Sequence, residues 1–173
     1  MIIRDAKRTD FEGILKLSRS FYKEASKNPD FGDYVFKKLP SKKAMHNWFC
    51  KLYAETKKQE SVYMIAEEGN TIIGHCFIRP FDIPRSERSH VGRLSIFVMK
   101  DYRGRRIGKR LIKTAIKKAS RRFEIVDLDV ISNNNIARQI YKKFGFKSWG
   151  IAPGFIKRGK KYLDTEYMYL KLQ

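Results

Sequence analysis

Apolar residues recur along this chain with two periods, one helical and one extended, and the alternation lays out an α/β order. Ile2 and Ile3 suggest a first strand. Phe11, Ile14, Leu15, Phe21 and Tyr22 then follow helical spacing to about Ala25, with capping-box spacing from Thr9 to Glu12. Residues 26–40 form a loop carrying Pro29, Gly32 and Pro40, with Phe31, Tyr34 and Phe36 as its aromatics. Ser41 is placed to cap a second helix whose inner face is Met45, Trp48, Phe49 and Leu52. Val62 to Glu67 and Thr71 to Arg79 read as strands joined by a Glu68-Gly69-Asn70 turn, the second ended by Pro80. A charged loop over 80–89 precedes a strand beginning near His90.

That strand opens the most informative stretch. Leu94 to Met99 is apolar, and a polar turn with Gly104 and Gly108 follows. Ile107, Leu111, Ile112, Ala115, Ile116 and Ala119 then form a helical stripe, opposed by Lys109, Arg110, Lys113, Lys117 and Lys118. A strand, a glycine-containing turn and a helix start make an anion site, because the first-turn N–H groups have no acceptor inside the helix and the dipole is positive there. Arg103, Arg105, Arg106 and Lys109 add formal charge. In the next segment, Val126, Leu128 and Val130 alternate with Asp127 and Asp129, a strand with one apolar face. A short helix from Asn134 is closed by Gly145 at the position expected for a C-cap. The remainder reads as a short strand through Trp149, a Pro153-Gly154 turn, a basic segment over 157–161 and a last strand alternating Met168, Leu170 and Leu172 with Tyr167, Tyr169 and Lys171. No repeat, low-complexity tract or linker interrupts this order, βααβββαβαββ, which is that of one domain over 1–173.

Val98 to Gly108 resembles the acyl-CoA pyrophosphate loop of the GCN5-related N-acetyltransferase superfamily, and Asn134, Ala137, Tyr141, Gly145 and Phe146 fall at the spacings of its following helix. The two motifs lie about thirty residues apart, as a βαβ unit requires. The resemblance implies a mixed, mostly antiparallel sheet flanked by about four helices, and an acetyl-CoA-dependent N-acetyltransferase. It assigns the backbone of Ile96, Phe97 and Val98 to the pantetheine arm, beside a following strand that splays away. Arg103, Gly104, Arg105, Arg106, Ile107, Gly108 and Lys109 are assigned to the pyrophosphate. Asn134 is placed to bond the arm or the loop, although helix capping suits it equally. Tyr141 is the expected proton donor to the leaving thiolate, being protonated at neutral pH with a phenol pKa near ~10.

Two departures stand out. Arg106 occupies a position usually held by glycine, and its side chain either adds a phosphate contact or crowds the loop. Many members carry a glutamate base on the organising strand, where this register has Gly92; His90, Glu87, Glu67, Asp164 or a water chain ending at one of them are the candidates. His90-Val91-Gly92-Arg93-Leu94 and Lys160 to Asp164 resemble a branch acting on small amines or free amino acids. The alternatives are a protein N-terminus or lysine as acceptor, or a basic nucleic-acid- or ribosome-binding module in which the acyl-CoA site is vestigial.

At 173 residues with 42% hydrophobic content the chain is long enough for a substantial core. No run reaches the length of a membrane span and no secretory signal pattern opens the sequence, so the cytoplasm is the expected setting. Cys50 and Cys76 lie in apolar segments without metal-ligand spacing and read as buried free thiols, with no metal site. His46 reads as a surface histidine. Lys and Arg number 38 against 18 Asp and Glu, formally +20. Such a field attracts polyanions, coenzyme A and nucleic acid among them. The cations are spread along the chain and no nucleic-acid-binding motif is present, so nucleic-acid binding is expected to be weak, non-specific and salt-sensitive.

Overall fold

A computed structural model describes residues 1–28, 31, 39–80 and 86–172. The expected loop aromatics Tyr34 and Phe36, and Asp82 of the charged loop, lie outside the described residues. The order is β1 (Ile2–Asp5), α1 (Phe11–Ala25), α2 (Lys42–Lys57), β2 (Val62–Glu68), β3 (Thr71–Pro80), β4 (Val91–Val98), α3 (Ile107–Ala119), β5 (Ile125–Ile131), α4 (Asn135–Lys143), β6 (Lys147–Arg158) and β7 (Lys161–Lys171). This is the order read from the sequence. The strands form one seven-stranded sheet, β1-β2-β3-β4-β5-β7-β6. Every pair is antiparallel except β4–β5.

Alternation along β2 shows how the two faces are used. Val62, Met64 and Ala66 join Ile107, Leu111, Ile112 and Ala115 of α3 in one core. Tyr63 and Ile65 join Ile14 and Leu17 of α1 and Phe49 and Leu52 of α2 in the other. Thus α3 and Tyr141 of α4 cover one face, and α1 with α2 covers the opposite one. Among the described residues no helix is long and apolar enough to cross a membrane. Cys76 is buried, whereas Cys50 is only half-buried, beside the exposed His46.

Two local expectations are corrected. The N-cap residue of α1 is Asp10 rather than Thr9, and no side chain caps this helix. A 3-10 turn over Arg8–Asp10 precedes the helix, and the Asp10 carboxylate accepts from the Lys7 N–H at 2.7 Å and from both terminal nitrogens of Arg4 at 2.8 Å. The carboxylate thus closes the 3-10 turn and pairs with Arg4 instead of bonding the first amides of α1. The Pro153-Gly154 turn is instead an irregularity inside the long strand β6, where register shifts between Ala152 and Ile156 and Asp164 Oδ1 accepts from the Gly154 N–H at 2.8 Å. The chain reverses at Gly159, whose φ is +61°.

Gly92 sits where β4 still pairs with β5, opposite Val126. A Cβ there would lie 2.6 Å from Ile78 Cγ2 and 2.8 Å from the Phe123 ring. Both neighbours belong to the α3-side core. Gly92→Ala should therefore overpack that core and cost about 1–3 kcal/mol. Urea unfolding measures it, and an unchanged midpoint would mean that Ile78 and Phe123 give way freely.

Candidate active site

Strands β4 and β5 pair at only three positions, Val91–Ile125, Gly92–Val126 and Arg93–Asp127. Beyond Arg93, β4 follows β3 as far as Gly74–Val98, while β5 follows β7 as far as Ile131–Thr165. The two therefore diverge. The peptide groups of Leu94 to Val98 that face away from β3 have no strand partner, and the Val98 carbonyl accepts from Arg103 Nε at 3.0 Å. A continuous cleft of about 2050 Å³ runs through this opening. Leu94 to Val98 line one wall; Asp129, Val130, Asn134, Ala137, Ile140 and Tyr141 line the other.

The turn after β4 brings the start of α3 to the mouth of the cleft. Gly104 has φ +79° and Arg106 has φ +60°, both left-handed. The first helical bond runs from the Arg110 N–H to the Arg106 carbonyl at 3.1 Å, so the preceding amides lack intrahelical acceptors. No side chain caps the helix, and its first turn holds no acid. The amides are therefore available to an anion. A Cβ on Gly108 would lie 3.8 Å from Ile96 Cδ1 and 4.0 Å from Val98 Cγ2, ordinary contacts. Packing does not demand glycine here; a bare Cα beside β4 leaves room for a ligand to approach the backbone.

The four cations of this loop divide into two pairs. Arg106 and Lys109 line the cleft. Arg103 borders it, but its guanidinium is bidentate to Glu24 of α1 at 2.5 and 2.7 Å and lies over the Phe31 ring at 4.8 Å. Arg105 lies outside the lining, 3.4 Å from Glu68 and over the Tyr102 ring. Arg103 thus ties the loop to α1, and Arg105 ties it to the β2–β3 turn. The four cations thus differ in placement: Arg103, Arg106 and Lys109 line the cleft, Arg103 while paired with Glu24, and Arg105 lies outside the lining.

On the opposite wall, Asn134 caps α4 by accepting the Ala137 N–H at 3.2 Å, and it also lines the cleft. Tyr141 is 8% exposed, lines the cleft and packs on Phe146 with ring centroids 5.7 Å apart. Arg138, one turn before it, pairs with Glu166 of β7, which is 2% exposed. That buried pair pins α4 against the sheet.

None of the four expected base candidates lines the cleft. Glu67 pairs with Arg4 at 2.6 Å, Asp164 holds the Gly154 amide, and Glu87 is exposed in a 3-10 turn. His90 uses its carbonyl to accept from Glu124 and Ile125. Gly92 points into the α3-side core, so no side chain at that position would reach the cleft.

The cleft instead presents His75, Arg93 and Asp129, which the sequence reading passed over. Desolvation among the rings of Tyr63 and Phe77 lowers the His75 pKa to about 4, so it is neutral at pH 7; its Nδ1 lies 3.1 Å from the Tyr63 hydroxyl. Arg93 pairs with Asp129 and lies 3.5 Å from Asp127. Burial lifts the Asp127 pKa to about 6 against the opposing charge of Arg93. The available signal was the alternation at 126–130, whose polar side reads as solvent-facing but is buried. Among the described residues no cluster of three His, Cys, Asp or Glu is placed to hold a metal.

The family model described as "Acetyltransferase (GNAT) family" matches residues 18–146. An uncharacterized N-acetyltransferase of Methanocaldococcus jannaschii is 29% identical over 161 residues, covering 92% of this chain and 66% of the relative. The L-amino acid N-acetyltransferase of Escherichia coli is 30% identical over 99 residues, 56% of this chain and 60% of the relative. The matches thus span just under two thirds of these relatives' lengths. A phosphinothricin acetyltransferase from Sinorhizobium meliloti, solved in complex with AcCoA, superposes with a TM-score of 0.83 at 21% identity, covering 99% of this chain and 88% of that one. At that identity the likeness establishes the fold.

Arg106 carries a measurable backbone cost. A left-handed conformation disfavours any residue with a Cβ by roughly 1–2 kcal/mol. Arg106→Gly should therefore be more stable than Arg106→Ala by about 1 kcal/mol, the reverse of their order at a regular helical position. Urea unfolding of the two variants reads the difference, and equal midpoints would show an unstrained turn.

Proposed function

Because the chain belongs to the acetyltransferase (GNAT) family, we propose that its cleft transfers an acetyl group from acetyl-CoA to a primary amine of a small molecule or amino acid, by direct attack within a ternary complex. The observation that carries this reading is the divergence of β4 from β5 beside an uncapped helix start. It leaves strand-edge peptide groups and first-turn amides facing one cleft, a match for a ligand with an amide-bearing arm and a diphosphate. The bare Cα of Gly108 fits the same group. The L-amino acid acceptor named for the Escherichia coli relative supports the small-amine class. The whole of 1–173 acts as one catalytic domain in this reading.

Acetyl-CoA supplies an activated acyl group with a thiolate leaving group, and the protein has to hold, orient and exchange protons. The amides at the start of α3 bind the diphosphate, with Arg106 and Lys109 adding charge. The free edge of Leu94 to Val98 orients the arm. Asn134 holds the start of α4 in shape, and its amide group faces the same space. Tyr141, kept in place by Arg138 and Glu166, donates the proton that the departing sulfur needs. A phenol suits this because it stays protonated at neutral pH yet can give its proton to a thiolate formed beside it.

Acetyl-CoA at a hundredfold excess over its dissociation constant should stabilise the protein by about 2.7 kcal/mol, read as a rise in Tm. A Cβ at Gly108 meets only ordinary contacts in the free protein, so Gly108→Ala should melt normally while Gly108→Val, with two further methyls beside the amides, should lose that rise. A retained rise would place the cofactor elsewhere.

Tyr141→Phe keeps the ring against Phe146 and removes only the hydroxyl. A general acid contributes about 10²–10⁴ in rate, and a thiolate is a fair leaving group, so a loss near the lower end is expected. The decrease should fall on kcat, with acetyl-CoA affinity retained. Unaltered turnover would make Tyr141 a packing residue only.

A further inference from the structure

One wall of the cleft holds a carboxylate with only one of its two oxygens partnered. Asp129 projects from β5 on the face shared with Arg93 and Tyr167, beyond the last β4–β5 pair. It is 9% exposed, and its Oδ1 accepts from Arg93. Its Oδ2 is buried without a hydrogen-bond partner among the described residues. An ionised oxygen left so is costly unless a donor arrives. The groups facing it are Arg93 on β4, Asp127 on its own strand, with Arg88 acting on Asp127, and Tyr167 on β7. Two carboxylates thus share Arg93 here, with Arg88 as a second cation acting on Asp127.

Resting on the acetyltransferase reading, we propose that Asp129 is the catalytic residue that receives the acceptor as an ammonium and takes its proton, and that the acceptor's body is apolar or aromatic. The second half comes from Tyr167, the register partner of Asp129. Its ring contacts Trp149 at 5.3 Å and Phe155 at 6.1 Å, and these are 62% and 56% exposed. This aromatic ledge adjoins the carboxylate and is open to a ligand. Arg93 is the positioning residue that aims one carboxylate oxygen away and leaves the other to the amine.

The step balances as follows. The ammonium gives one proton to Asp129 Oδ2, and the freed lone pair forms the C–N bond while the C–S bond breaks. The nitrogen loses a second proton, the sulfur gains one from Tyr141, and one proton leaves to solvent per turnover. In water a carboxylate is a weaker base than an alkylamine by about six pKa units. Where both charges are desolvated, the neutral acid–amine pair gains on the ion pair.

The test uses 2-phenylethylamine as acceptor, with acetyl-CoA affinity measured separately by calorimetry. Asp129→Asn should keep acetyl-CoA affinity and lower kcat/KM at pH 7 by about 10²–10⁴. Its rate should then climb with pH toward ~10, where solution supplies the free amine, whereas the parent's should level off at lower pH. A merely structural role would not produce that recovery. A variant within threefold of the parent, or one with the parent's pH profile, overturns the assignment. Trp149→Ala should raise KM several-fold at constant kcat, and an unchanged KM overturns the aromatic half. On the unaltered protein, carbodiimide activation should join 2-phenylethylamine to Asp129 as an amide found by peptide mass spectrometry; coupling only at exposed carboxylates counts against it whether or not the variants fold. A parent that fails to bind acetyl-CoA defeats the acetyltransferase reading itself. A parent that binds acetyl-CoA but does not turn over the amine defeats only the acceptor assignment.

Discussion

The separation of β4 from β5 is the constraint on which the rest of the structure depends. Each strand has an antiparallel partner on its other side that runs its full length, β3 for β4 and β7 for β5. Their mutual parallel pairing lasts three positions. Where it ends, polar backbone is left facing an opening rather than another strand, and such groups require a partner. A ligand or solvent must supply it. The α3 start and α4 then take up the two sides of the opening, because each directly follows one of the separating strands.

Ion pairs hold those sides in position. Arg103 reaches from the loop to Glu24 of α1, Arg138 reaches from α4 to the buried Glu166, and Arg4 joins β1 to Asp10 and Glu67. Each link crosses between elements distant in sequence. The pairs to Asp10 and Glu166, whose carboxylates are buried, are strongly destabilising to break, because the surviving partner is left as an uncompensated charge. Hence much of the positive charge near the cleft is structural. Of the groups on its walls, Arg106 and Lys109 sit by the uncapped helix start, and Asp129, paired with Arg93, lies on the β5 side.

The sequence by itself determined the element order, the glycine-containing turn before α3 and the helix carrying Asn134 and Tyr141. These rest on local causes: helical and extended periodicity, Asn as an N-cap, Gly145 as a C-terminal stop, and glycines where a positive φ or close approach is needed. The left-handed conformation of Arg106 was also foreshadowed, because an arginine stood where a related loop carries glycine. Local pattern misled at Thr9 and at Pro153-Gly154, where an ion pair to Arg4 and a bond from Gly154 to Asp164 outweighed the nearby signal. Only the tertiary structure decided which charges face the cleft. Arg103 and Arg105 resemble Arg106 and Lys109 in the chain, yet carboxylates on α1 and at the end of β2 take the first two away. Conversely, Asp127 and Asp129 alternate like any solvent-facing pair until β4 and β7 close around them. Burial and pairing are properties of neighbours brought together by the fold, and periodicity within one strand carries no record of them.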